Sequence, residues 1–423
     1  MISLDTSIRE AARLNNVPVG EAVEPFARVP YETELAVKRV GLEKFMTGLK
    51  VPSSVIDPIV PAPMPRGYRT TSRRRVEFGR GQVRLLHGDG SDAYGASPLE
   101  PISHAEIYVT VEKLLDGLTP MVSGAVNHVI LRGTYEEFVL IINVRGLDAR
   151  IVRSLRTLAE RVAKAHPTVK HAWIYHDPKG SRYYLDLERP ASGVGAKKLF
   201  GASAWMQTIG EITYQVGVFS FTQVNLAMTE RLVETVRQHA GVTENDTLYD
   251  LYCGYGLFGA AFAKNVSRVI AVDGDESTVD NARYTIRRAG GQVTAIREVL
   301  RSGEDIDTVV HAIQKMSRKD PAVGPNIVIL DPPRAGTAEG VIAAISNGLQ
   351  PRAVVEIFCG PDEIYRSNRE WRQAGYGVQR ITPVDLFPGT MNMEFVVSYG
   401  KGFTAELPEP SQRPRRSVER WSR

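Results

Sequence analysis

Cysteine is nearly absent: the 423-residue chain has only Cys253 and Cys359. Two cysteines exclude a disulfide scaffold, a four-cysteine zinc site and a cysteine-ligated iron–sulfur cluster within one chain. No metal is expected, and a reducing cytoplasm is the expected compartment. Long apolar runs are also lacking. None approaches the ~20 residues of a membrane helix, so no membrane association is expected. The opening stretch, MISLDTSIREAARLNN, has no apolar centre of the kind a secretory signal needs. Nor is there a large excess of one charge. Lys and Arg number 52 against 48 Asp and Glu, a net +4. That balance permits a nucleic-acid partner without requiring one, so the placement of the basic residues matters more than their total. What is present is the composition of an ordered soluble protein, 43% hydrophobic and 24% charged.

The pattern along the chain divides it into four parts. Residues 1–63 mix two helical patterns, TSIREAARLNN and YETELAVKRVGLEKFMTGL, with turns, and VIDPIVPAPMPRG at 55–67 reads as an extended linker. Residues 64–220 read as an α+β domain with an antiparallel sheet. Its parts are a basic hairpin (66–90), two strands around a polar turn (127–146), an amphipathic helix ending before Pro167, and a strand pair around Asp-Pro-Lys-Gly at 170–190. From 221 to 402 strands alternate with helices, which means a parallel, doubly wound sheet. The basic, proline-rich stretch 403–423 reads as a flexible tail. The expected fold class is therefore α/β, with a C-terminal Rossmann-like domain following an α+β domain.

Two features of the C-terminal part suggest a cofactor. DLYCGYGLFG places Gly254, Gly256 and Gly259 where a strand turns into a helix, a spacing that lets backbone approach a ligand closely. Asp273, in VIAVDGD, ends the next strand, where a carboxylate can accept from both hydroxyls of a ribose. A turn aspartate is the plainer reading. Together they suit an adenosine-containing cofactor, without separating NAD from S-adenosylmethionine.

Three further positions suggest chemistry. NIVILDPPRAG runs a buried strand into Asp331-Pro332-Pro333-Arg334, and the prolines fix the backbone at the strand end. AVVEIFCGP places Cys359 at the end of another strand. Most such cysteines are small buried hydrophobes, but a thiolate opening onto the active edge of a sheet can attack an electron-poor ring carbon. Cys253, just before the cofactor glycines, reads as structural. Glu394, between Met393 and Phe395, would have a raised pKa if buried and could move protons; on the solvent face of an edge strand it would do nothing.

The motifs FSFTQVNLAMTERLVETV, DLYCGYGLFG, VDGD, LDPPRAG, VEIFCGPDEI and FPGTMNMEFVV stand in the order and spacing of a known family. Over about 215–400 the chain resembles the S-adenosylmethionine-dependent RNA uracil-5-methyltransferases, which make 5-methyluridine in tRNA or rRNA. The resemblance is weaker from about 64. It implies a methyltransferase domain with S-adenosylmethionine as cofactor and RNA as partner. It implies that Gln223, Tyr252, Gly254, Gly256, Asp273 and Asp331 contact the cofactor, that Cys359 is the nucleophile and that Glu394 is the general base. The chain departs from the family pattern in three places. Cys359 stands in Phe-Cys-Gly-Pro rather than Ser-Cys-Asn-Pro. No histidine shortly precedes Glu394. Tyr255 and Leu257 replace an asparagine and a small polar residue. Residues 1–60 read neither as a cysteine cluster nor as a small β-barrel RNA module.

Arg66, Arg69, Arg73, Arg74 and Arg75 crowd one strand region, and alternate residues of a strand share a face. Arg73, Arg74 and Arg75 are the candidate phosphate contacts; an ordinary solvated strand is the alternative. The expected protein is a monomer. Three other functions stay open on the residues alone: a cytosine-5 methyltransferase, a non-catalytic RNA-binding protein on the same scaffold, and an NAD-dependent oxidoreductase.

Overall fold

The computed structural model describes residues 3–20, 24–48, 50–79, 82–87, 97–178, 195–317 and 325–402. In chain order the first elements are α1 (Leu4–Leu14), α2 (Tyr31–Gly48), β1 (Ser72–Gly79), β2 (Gln82–His87), α3 (Ile102–Asp116), α4 (Pro120–Ser123), β3 (Val126–Gly133), β4 (Phe138–Val144), α5 (Ala149–Ala165), β5 (Val169–His176) and β6 (Ala196–Phe200). Then come β7 (Ala204–Ile209), β8 (Ile212–Gly217), α6 (Leu226–Ala240), β9 (Thr247–Leu251), α7 (Leu257–Ala261), β10 (Arg268–Asp273), α8 (Glu276–Arg288) and β11 (Val293–Arg297). The last are α9 (Gly303–Ser317), β12 (Asn326–Leu330), α10 (Val341–Gly348), β13 (Ala353–Phe358), α11 (Ile364–Gln373), β14 (Tyr376–Val384) and β15 (Glu394–Lys401). Among the described residues no helix is long and apolar enough to cross a membrane.

The chain forms two compact units. One comprises residues 66–205 and 217–226. Its six-stranded sheet has the order β2-β1-β3-β4-β5-β6. Every residue of β3 and β4 is buried. Ile107, Val111 and Leu115 of α3 and Leu155, Leu158 and Val162 of α5 form one core with Val129, Leu140, Ile142 and Ile174 of the sheet. α5 begins where the Asp148 carboxylate accepts from Ile151 N at 2.8 Å, a side-chain cap. The sheet is not wholly antiparallel as expected: β4 and β5 are parallel. The reason is α5, a helical crossover that returns the chain to the same end of the sheet before the next strand starts. From Lys179 on, the Asp-Pro-Lys-Gly turn and the strand expected after it lie outside the described residues.

The other unit comprises the described residues up to 65, 206–216 and 227–402. Its seven-stranded sheet has the order β11-β10-β9-β12-β13-β15-β14. The pairs from β11 to β13 are parallel, and β15 alone runs against its neighbours. β12 and β13 are near-continuous apolar runs because helices cover both faces of such a sheet. This is the Rossmann-like, doubly wound arrangement expected. The sheet order reverses between β9 and β12, the place where ligands gather at the carboxyl edge of such folds.

Residues before 65 share this unit's core: Ile8, Ala11, Phe26, Leu35, Leu42 and Phe45 cluster with Leu251, Val328, Phe358 and Tyr399. The proline-rich stretch is extended, as its composition predicts, but it is held along β14. Asp57 N donates to Ile381 O and Val60 N to Pro383 O, both at 2.9 Å.

Candidate active site

The carboxyl ends of β10, β9, β12 and β13 and the amino end of β15 meet at one edge of the seven-stranded sheet. Strand order alone arranges the candidate residues across it: Asp273, then the glycine turn, Asp331, Cys359 and Glu394. At ~4.8 Å between strands, β10 and β13 lie about 14 Å apart.

The glycine turn follows β9. Tyr252 is left-handed (φ 61), as are Gly254 (φ 54) and Gly256 (φ 83). Gly256 begins α7 and packs so closely on α8 that a Cβ there would lie 3.0 Å from Ala282. Gly254 has nothing within 4 Å of where a Cβ would lie, so its backbone faces open space. The turn is tied to β10 through Asp273, whose carboxylate accepts from Gly254 N and Asp275 N, each at 3.0 Å. Each carboxylate oxygen keeps a lone pair for a further donor. Burial first, and then the Asp275 charge, raise the Asp273 pKa, while the backbone donors oppose the rise.

Below the turn sits Asp250. Its Oδ2 accepts from Gly259 N at 2.8 Å, while Oδ1 is buried without a partner. Burial pushes its pKa up to about 8, with the Asp331 and Asp273 charges adding to the rise. Sequence reasoning passed over this residue, although an acid inside TLYDL was a visible signal. Glu356, an acid inside AVVEIF, was a second. It is buried in β13, accepts from Ser367 Oγ at 2.8 Å and Trp371 Nε1 at 3.1 Å, and burial pushes it up to about 7.

At the other end of the edge the strand register decides the geometry. In the β13–β15 pair Ala353 lies opposite Gly400 and Phe358 opposite Phe395. One step further, Cys359 faces Glu394, and directly opposed residues project from the same side of the sheet. The two groups are close enough that each shifts the other's titration. Glu394 is 2% exposed, and its Oε2 is buried without a partner. Burial, with the Asp331 charge added, holds the Glu394 carboxyl well above the usual carboxylate range. Burial likewise pushes the Cys359 thiol up, helped by Glu394 and Asp331. Arg334 is exposed, and its positive charge works against both shifts. Asp331 is pushed up to about 7 by burial. A half-buried thiol, a buried carboxyl with an unpartnered oxygen and a neighbouring acid are groups chemically capable of nucleophilic attack coupled to proton transfer. Cys253, by contrast, is buried and directed at the glycine turn's own backbone. Among the described residues no group of three or more His, Cys, Asp or Glu is placed to hold a metal ion.

Gln223 lies in the unit made of 66–205 and 217–226, where it is buried. The arginine stripe needs correction. Arg74 is 5% exposed, and its guanidinium makes a two-bond ion pair with Glu100 at 3.0 and 2.6 Å. A strand alternates its faces, so Arg74 points into the core while Arg73 and Arg75 point the other way. Arg73 is half-buried and Arg75 exposed.

Three comparisons with known proteins bear on this arrangement. Residues 207–401 match the family model described as tRNA (uracil-5-)-methyltransferase. An uncharacterised RNA methyltransferase from Streptococcus mutans is 29% identical over 270 residues, which is 64% of this chain and 55% of that protein. One from Lactococcus lactis is 30% identical over 203 residues, 48% of this chain and 42% of that protein. The chain thus spans about half the length of the curated relatives it matches. In fold it is similar to the tRNA (uracil-54, C5)-methyltransferase of Pyrococcus abyssi, crystallised with S-adenosyl-L-homocysteine. That likeness has a TM-score of 0.62 at 17% identity and covers 90% of this chain and 85% of the other. Over residues 207–401 the chain is thus similar to the tRNA (uracil-5-)-methyltransferase family.

Proposed function

We propose that this protein methylates C5 of a uridine in RNA, with S-adenosylmethionine as methyl donor. The observation that carries the reading is the pairing of Cys359 with Glu394 across β13 and β15, at the same edge as the glycine turn. The turn suits an adenosyl group. Gly254 offers open backbone, Asp273 keeps acceptor capacity for ribose hydroxyls, and Tyr252 and Gly256 shape the approach. When bound there, S-adenosylmethionine supplies an electrophilic methyl group.

The residues account for the remaining chemistry. Uracil C5 is a poor nucleophile. The Cys359 sulfur adds to C6, and the electron pair of the C5–C6 double bond becomes available at C5 for the methyl group. Once C5 is methylated it still carries its hydrogen. Glu394 takes that proton, the C5–C6 double bond re-forms, and the sulfur leaves C6. The thiol must first lose its own proton. That proton passes to solvent, so that the Glu394 carboxylate stays free for the C5 proton, and Arg334 favours the charged forms of both groups. Asp331, next along the edge, is placed to hold the base or the cofactor near the reacting atoms. The base must leave its stack to reach a thiol at a sheet edge. A thiol nucleophile works in a reducing compartment, which favours the cytoplasm.

The test is incubation with S-adenosylmethionine and unmodified or 5-fluorouridine-containing tRNA and rRNA transcripts. A C5 fluorine cannot leave as a proton, so a denaturant-stable protein–RNA adduct accumulates on the true substrate and maps the uridine. A Cys359→Ala variant that still methylates RNA would sink this mechanism.

A further inference from the structure

Residues 385–393 connect β14 to Glu394 and are almost wholly buried; Asn392 alone is exposed. A buried loop must satisfy its backbone polar groups within the protein. Here the partners come from the beginning of the chain. Asp385 N donates to Val60 O at 3.1 Å. Both backbone groups of Gly389 are taken up: its N–H by Glu34 Oε1 at 2.6 Å and its carbonyl by Phe26 N at 3.0 Å. The Asp385 carboxylate accepts from Lys38 Nζ at 2.7 Å and from the Tyr31 hydroxyl at 2.9 Å. Lys38 also pairs with Glu34 at 2.7 Å, and Ala62 N donates to the Tyr31 oxygen at 2.6 Å. Lys38, Glu34 and Asp385 are each 0% exposed.

A fully buried ion cluster is a poor source of stability, because desolvation offsets its attraction and apolar replacements often do as well. What it supplies is geometry, since each member has one position in which every bond is made. The loop carries that position onward. Thr390 Oγ1 donates to Phe387 O at 2.8 Å and accepts from Asn392 N at 3.1 Å, two residues before Glu394.

We infer that residues 26–62 clamp the loop before Glu394, with Lys38, Glu34 and Tyr31 as positioning residues that hold this carboxyl against Cys359. The inference rests on the methyltransferase reading and gives a role to the part of the chain that reads neither as a cysteine cluster nor as a small β-barrel RNA module. A loosened clamp leaves the Cys359 nucleophile in place and slows removal of the C5 proton. The methylated adduct is then made faster than it is resolved.

The experiment compares wild type with Tyr31→Phe and with the charge-neutral triple variant Glu34→Gln/Lys38→Met/Asp385→Asn in the full chain. Substrates are S-adenosylmethionine and unmodified tRNA and rRNA transcripts. The triple variant is expected to lose about 10- to 100-fold in kcat, less than the ~10²–10⁴-fold that complete loss of a proton-transfer group costs, because the carboxyl is displaced and not removed. KM for both substrates should stay within about twofold, and a Cys359–RNA adduct should accumulate on ordinary uridine. Tyr31→Phe, which removes one hydroxyl and decides the matter if the triple variant does not fold, should show the same signature at smaller amplitude. Amide hydrogen exchange in 385–393 should quicken in either variant. Wild-type kinetics with unchanged exchange would overturn the inference, as would parallel loss of adduct formation and turnover. A wild-type chain that neither methylates nor cross-links RNA would instead remove the methyltransferase reading, while faster exchange in the variants would still report the clamp.

Discussion

The most informative perturbation is Glu394→Gln. Glutamine has nearly the same volume, so the packing against Met393 and Phe395 is kept. Two things change at the site. The thiol of Cys359 loses the carboxyl charge beside it, and in the proposed mechanism the C5 proton loses its base. Proton transfer by a positioned side chain contributes ~10²–10⁴-fold, which corresponds to about 3–5 kcal/mol of transition-state stabilisation at ~1.4 kcal/mol per decade. The expected kcat is therefore lower by that factor. Stability should move the other way. A carboxyl whose folded pKa is raised binds its proton more tightly in the folded than in the unfolded state, so stability falls as pH rises from the unfolded pKa towards the folded one. Glutamine removes that dependence, so Glu394→Gln should be at least as stable as wild type at neutral pH. The assays are single-turnover methyl transfer, denaturing gels for the covalent RNA complex, and thermal unfolding at pH 5 and pH 8. The expected outcome is slow turnover, an accumulating adduct and an undiminished Tm. Turnover within about threefold of wild type, without adduct, would refute it.

Other outcomes follow from the same physics. Asp250→Asn should flatten the pH dependence of stability between about pH 4, the unfolded value, and about 8, to which burial pushes the folded pKa; over that window the wild type should lose up to a few kcal/mol, checked by urea titrations. Arg74→Ala should cost ~3–5 kcal/mol by leaving the buried Glu100 unpaired, whereas Arg75→Ala should leave Tm within about a degree and lower the salt slope of RNA binding. Burial alone would raise Glu100, yet His87 and Arg74 hold it down at about 2. The stability this pair contributes is therefore present above the unfolded carboxylate range and is lost as pH falls towards 2, visible as an acid limb absent from Arg74→Met/Glu100→Leu. Gly256→Ala should cost ~1–2 kcal/mol for the left-handed backbone alone, with a further loss from the contact at Ala282. Calorimetry should show weaker S-adenosylmethionine binding, and unchanged affinity would argue against the turn as the adenosyl site.

Read along the chain, the residues determined the local elements and the character of each strand. NIVIL and AVVEIF are too apolar for a half-solvated strand, and strands alternating with helices can pair only in parallel through crossovers. Those properties depend on near neighbours, and near neighbours are what a single sequence displays. The helix α3 went unread because its apolar residues are interrupted by His104 and Tyr108, both buried in contact with Ser72. The stripe of arginines shows the same limit. Alternation separates Arg74 from Arg73 and Arg75, but nothing in the order of residues names Glu100 as its partner. The tertiary structure alone decided that β15 enters the sheet backwards between β13 and β14, and that its register sets Cys359 opposite Glu394. It alone decided that the first sixty residues hold the loop before Glu394. Pairing between distant strands and burial of distant charges are settled by the packing of the whole unit, where the free energy depends on contacts that no short window of sequence contains.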